Sequence, residues 1–124
     1  MRKIALAFAL VAFAIAGTAC RSLTKDAAPP TIEADKYYAV LLANGSVYFG
    51  QLEGLGNPYP VLKNVYYVQS NVNQETKAVS NSLVKRGKEW HGPDRMIINE
   101  KAIIFIEPVG KDSRVSQLIE ESKK

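Results

Sequence analysis

The sequence predicts a mainly β protein: a small open barrel of five short strands with a short C-terminal helix, after a signal peptide and a flexible tether. Three observations lead there. Short runs of β-branched and aromatic residues recur from Tyr37 to Pro108, glycine, proline and asparagine punctuate them, and Asn44-Gly45 sits between two such runs as a hairpin signal. A sandwich usually needs about 100 residues, more than remain after the N-terminal segments, so a barrel is the better fit.

Residues 1–19 read as an export signal. Arg2 and Lys3 supply positive charge, and residues 4–16 (IALAFALVAFAIA) form an unbroken apolar run. That run is shorter than the roughly 20 residues a bilayer span requires. The small residues Gly17 and Ala19 precede Cys20, the only cysteine, and place a cleavage site before it. The stretch resembles the signal of bacterial lipoproteins, in which the cysteine after the cut becomes the first residue and carries the lipid. Gly17 stands where those signals usually have leucine. The resemblance implies lipid attachment at Cys20 and a membrane-anchored protein of the bacterial cell envelope, facing the periplasm or the outside. An ordinary secretory signal and an uncleaved short anchor are the alternatives. A chain with one cysteine makes no internal disulfide, so its stability rests on packing.

Residues 20–36 (CRSLTKDAAPPTIEADK) are polar, contain proline and alanine, and lack an apolar period, the composition of a flexible tether. The folded domain is therefore expected over 37–124, with room for one small core. The chain carries 16 basic and 12 acidic residues; without Arg2 and Lys3 the balance is 14 against 12. So small an excess does not by itself mark a nucleic-acid or anionic-surface binder.

In YYAVLLANGSVYFGQLEGLG (37–56), a two-residue type I′ turn at Asn44-Gly45 would set Leu42 opposite Val47 and Val40 opposite Phe49. The core face would then be Tyr38, Val40, Leu42, Val47 and Phe49. The other face, with Leu41, Tyr48 and Leu52, is apolar too, so the sheet must curl or be covered. Gly50 marks a bend in the second strand. VLKNVYYVQS (61–70) is the third strand. Residues 71–82 (NVNQETKAVSNS) are polar without a clear period and read as a loop; Leu83 and Val84 start another short strand. MIIN (96–99) and AIIFIEPV (102–109) are apolar runs separated by Glu100-Lys101, and Pro108 ends the second. In the tail, Val115, Leu118 and Ile119 have helical spacing, with Asp112 or Ser113 as the cap.

The order NGSVYFGQL, VLKNVYYV, MIINEKAIIFIE is similar, over roughly residues 38–107, to the strand layout of Sm-like barrels. In those barrels a glycine-bent second strand and a tight turn between the last two strands close the sheet. NGSVYFG and HGPDRMII, in that order and spacing, also resemble a family of small uncharacterised bacterial proteins with an N-terminal membrane signal or anchor. The first likeness implies an Sm-like small barrel, a fold that often binds RNA. The second implies a small exported or membrane-anchored domain with no established reaction.

Chemistry, if present, would start at His91, the one histidine, in EWHGPDR (89–95) beside Glu89, Asp94 and Arg95. A hydrolytic envelope enzyme using His91 is one alternative reading. No strained nucleophile turn accompanies it, and one histidine with scattered acids lacks metal-ligand spacing. Neither a cofactor nor a metal is called for, and the protein is expected not to be an enzyme. Nucleic-acid binding is the second alternative, with tyrosines stacking bases and Lys85, Arg86 and Lys88 meeting phosphates. Export argues against it. The remaining role is a non-catalytic binding or assembly module that presents residues 83–95 (LVKRGKEWHGPDR) or an open strand edge to an envelope protein or to a second copy of itself. The residues expected to meet a partner are Tyr67, Arg86, Lys88, Trp90, His91 and Arg95.

Overall fold

The computed structural model describes residues 30–124, so the signal, Cys20 and the first part of the tether lie outside the described residues. Six strands, β1 (Tyr37–Leu42), β2 (Val47–Glu53), β3 (Val61–Val72), β4 (Val79–Lys85), β5 (Arg95–Ile97) and β6 (Ile103–Pro108), precede one helix, α1 (Arg114–Glu121). A single 3-10 turn, Glu100–Ala102, links β5 to β6. The strands form one antiparallel sheet in the order β4-β3-β2-β1-β6, with β5 also on β3. The chain is thus mainly β, an open antiparallel sheet with a short C-terminal helix.

The β1–β2 hairpin forms at Asn44-Gly45, but one residue out of the expected register. Leu41 pairs with Val47, Val40 with Tyr48 and Tyr38 with Gly50. The cause is a longer turn. Gly45 N–H donates to Leu42 O, Leu42 N–H donates to Ser46 O, and Gly45 takes the left-handed φ of +83° that a three-residue loop requires. Asn44 Oδ1 accepts from Ser46 N–H at 3.0 Å and fixes that loop. Because the side-chain period is two, the slip exchanges faces on β2: Tyr48 packs against the core, while Val47 is largely exposed.

Gly50, expected at a bend, lies at a close approach of β2 to β3. A Cβ there would lie 2.7 Å from Leu62 Cγ and 2.8 Å from Lys63 O, at the point where the β2–β3 register shifts. β3 changes phase at the same level. Asn64 adopts φ +49°, and Leu62 and Val65, three positions apart, are both buried. Upstream of Asn64, Val61, Leu62 and Lys63 pair with β5; downstream, Tyr66 to Val72 pair with β4. One long strand therefore serves two partners along the same edge.

Residues 71–82, expected as a loop, are half strand: β3 runs on through Val72, and β4 starts at Val79, ahead of the start expected at Leu83, in a sheet of six strands where five were expected. Val72 pairs with Val79 and Val68 with Leu83. Asn73 makes the turn between them, its Oδ1 accepting from Glu75 and Thr76 N–H. The core cluster is Tyr38, Val40, Leu52, Leu62, Val65 and Ile98. Ile32 packs against it, and Glu33 N–H donates to Tyr38 Oη, so packing reaches upstream of Tyr37. The opposite face of the sheet is covered by α1. Ile119 is buried, Tyr66 Oη and Ser122 Oγ are 3.0 Å apart, and the Tyr37 and Tyr66 rings meet edge to face. Ser113 caps the helix by accepting from Ser116 N–H. A sheet apolar on both faces is thereby both curled and covered.

Candidate functional site

The loop between β4 and β5, residues 86–94, is built from a basic and glycine-rich sequence and held at its base by one carboxylate. Arg86 N–H donates to Val65 O at 2.8 Å, which ties the loop to β3. Glu89 then receives Arg86 Nε at 2.8 Å on one oxygen and Gly87 N–H at 2.7 Å on the other. Gly92 N–H donates to the Glu89 carbonyl at 2.7 Å and closes the turn. Gly87 at φ +125° and Gly92 at φ +52° supply the left-handed backbone this path needs. The hydrogen bonds from Gly87 N–H and from the backbone N–H of Glu89 itself, followed by the Arg86 guanidinium, hold the Glu89 carboxyl at about 2, well below its usual range.

The guanidinium of Arg86 also lies over the Tyr48 ring, 5.7 Å from its centroid, and Tyr48 meets Tyr67 edge to face at 6.5 Å. Arg86, Tyr48 and Tyr67 thus form a connected group between the core and the loop. The Arg86 side chain is only 21% exposed, so its place is at the loop base. Lys85, on the opposite face of the strand, lies over Tyr66.

The remaining expected residues sit outside this base. Trp90 is fully exposed, and Lys88, His91 and Arg95 are exposed as well. Arg95 begins β5 opposite Lys63, with Asp94 as its ion-pair partner at 3.9 Å. Arg86 and Arg95 both line a cleft of about 360 Å³ under the loop, together with Asn64, Lys85, Pro93 and Asp94. The structure brings Arg86, Tyr67 and Arg95 to the base and flank of one loop whose outer part carries Lys88, Trp90 and His91. Among the described residues no group of three His, Cys, Asp or Glu side chains is placed to hold a metal ion.

Three contributors escaped the sequence reading. Tyr48, assigned to the wrong face, is the ring beneath Arg86. Glu89, seen only as a neighbour of His91, organises the loop, and the Arg86-Gly87-Lys88-Glu89 spacing was the available signal. Asn64 shapes the cleft through its left-handed backbone, for which a lone asparagine inside a strand run was the only cue.

No family model matches the chain, and no curated protein matches it. No helix of the described residues is long and apolar enough to cross a membrane.

Proposed function

We propose that the protein is an exported, lipid-anchored component of the bacterial cell envelope whose small barrel is a non-catalytic binding or assembly module. The likeness of residues 1–20 to a lipoprotein signal supports the anchor at Cys20. The likeness of NGSVYFG and HGPDRMII to small anchored bacterial domains supports the arrangement as a whole. In this reading the barrel presents residues 86–95 to an envelope protein.

The observation that carries the binding role is Trp90, a fully exposed indole on a loop whose base is fixed by the Glu89 hydrogen bonds. A large aromatic on a preorganised loop loses little conformational entropy when it is buried by a partner, which is how interface hot spots gain their energy. Lys88, His91 and Arg95 provide a polar rim, and the basic excess of the loop favours a partner with an acidic surface.

Trp90→Ala, compared with wild type by capture from detergent-solubilised envelopes, tests the role. Loss of the captured protein with an unchanged circular dichroism spectrum is the expected result; undiminished capture would overturn it. Intact mass of the membrane-extracted protein beside Cys20→Ser tests the anchor. The expected mature chain begins at Cys20 and carries acyl mass that the variant lacks.

A further inference from the structure

A second surface is unlike the loop in chemistry. Along β6 runs an open groove of about 1030 Å³ whose walls include Pro30, Ile32, Leu55, Ile103, Ile104 and Phe105. Ile104 is 61% exposed and Phe105 45%. In a regular strand these neighbours would point to opposite faces. Here the register shifts between Leu41, which pairs with Phe105, and Leu42, which pairs with Ile103; Ile104 is left unpaired, and both side chains line the groove.

We propose that this groove is a membrane-contact surface, through which Ile104 and Phe105 enter the interfacial layer of the same bilayer that holds the N-terminal segment. The inference rests on the reading that this segment reaches a membrane. Pro30 lines the groove, and residues 20–29 are all that separates Pro30 from Cys20. A ten-residue connection spans at most about 35 Å. Contact between groove and a bilayer that holds Cys20 is therefore an intramolecular event at high effective concentration.

The groove's charges define the kind of contact. Lys36 is paired with Glu33 at 2.6 Å, and Lys101 stands next to Glu100, so the rim carries no excess of either sign. Burial of apolar side chains, and not attraction to anionic headgroups, drives the docking, and neutral phosphatidylcholine is sufficient. The edge of β6 is poorly suited to the main competing occupant, an added β-strand from a peptide or a second copy. It is bulged at Ile104 and ends at Pro108, which has no N–H to donate.

The test uses the full chain, reconstituted into phosphatidylcholine vesicles, with Phe105→Trp in a Trp90→Phe background as the only indole. Emission should fall about twofold when the lipid is replaced by its brominated form, and the loss should persist from about 0.05 to 0.5 M salt. Ile104→Trp, at the more exposed position, is the second reporter should the first variant fold poorly. Chain that floats with the vesicles but is not quenched at either position overturns the proposal and leaves the anchor reading standing. Shielding of the same indole from aqueous acrylamide without lipid quenching would mean that protein covers the groove, which also overturns it. Chain that does not float overturns both readings at once.

Discussion

Glu89 shows how one side chain can convert a glycine-containing stretch into a defined loop. Its two oxygens take a backbone N–H and a guanidinium, and both bonds favour the ionised form. Since the folded-state pKa is lowered to about 2, the carboxylate's support of the loop is complete above the ordinary carboxylate range and is lost as pH falls toward about 2. Carbon-detected NMR titration of the Glu89 carboxyl should show its midpoint near that value. Trp90 and Arg86 should separate in their effects on stability. Trp90 touches nothing in the fold, so Trp90→Ala should change unfolding free energy by no more than about 0.5 kcal/mol. Arg86→Ala removes a half-screened ion pair and the cover over Tyr48, and should cost about 1 kcal/mol in a urea titration. The outer residues of the site were legible in the sequence because Trp90 and His91 each occur once and glycine and proline follow them. The role of Arg86 was not, because Tyr48 and Tyr67, which position it, are brought near only by strand pairing.

At the scale of elements, two glycines set the geometry that the site depends on. Gly45 adopts φ +83° with open space around it, so Gly45→Ala meets no clash and should cost only the left-handed backbone penalty, about 1 kcal/mol. Gly50→Ala is a different case. Its Cβ would press on Leu62 and on the Lys63 carbonyl, a backbone atom that cannot move without disturbing the bulge that aims β3 at two partners. A loss of about 1–3 kcal/mol is expected by urea unfolding. The existence of the hairpin could be read from Asn44-Gly45, but its register could not. Two- and three-residue turns share that dipeptide, and the choice between them rests on hydrogen bonds made by Leu42 and Ser46. The β3–β4 arm was hidden for a related reason. Its paired residues, Ser70 with Asn81 and Asn71 with Ser80, are polar and exposed on both strands, so no alternation betrays them.

On the scale of the whole molecule, the sheet's two apolar faces place a demand that no single strand reveals. Curling the sheet buries Tyr38, Val40, Leu52 and Leu62, yet leaves Tyr37 and Tyr66 on the other face, and α1 exists to cover them. The helix was visible in the spacing of Val115, Leu118 and Ile119, whereas its seat was not, because Tyr66 precedes Ser122 by a long stretch of chain. The helix is short, about two turns, and a segment of that length has little stability of its own in water. Its order therefore comes from docking, and Ile119, 1% exposed, is the docking residue. Ile119→Ala should cost about 2–4 kcal/mol, a large part of the stability of so small a domain. If the helix and the sheet form one cooperative unit, that cost lowers the urea midpoint of a single transition and leaves its slope unchanged. A helix that unfolds separately would instead split the transition between far-ultraviolet circular dichroism and tyrosine fluorescence. The first outcome is expected, because Tyr66 lies on β3, the strand that also pairs with β2, β4 and β5. Undocking α1 would expose the Tyr66 ring on the strand that joins β2 to β4 and β5, and the sheet is not expected to stay intact while the helix alone melts.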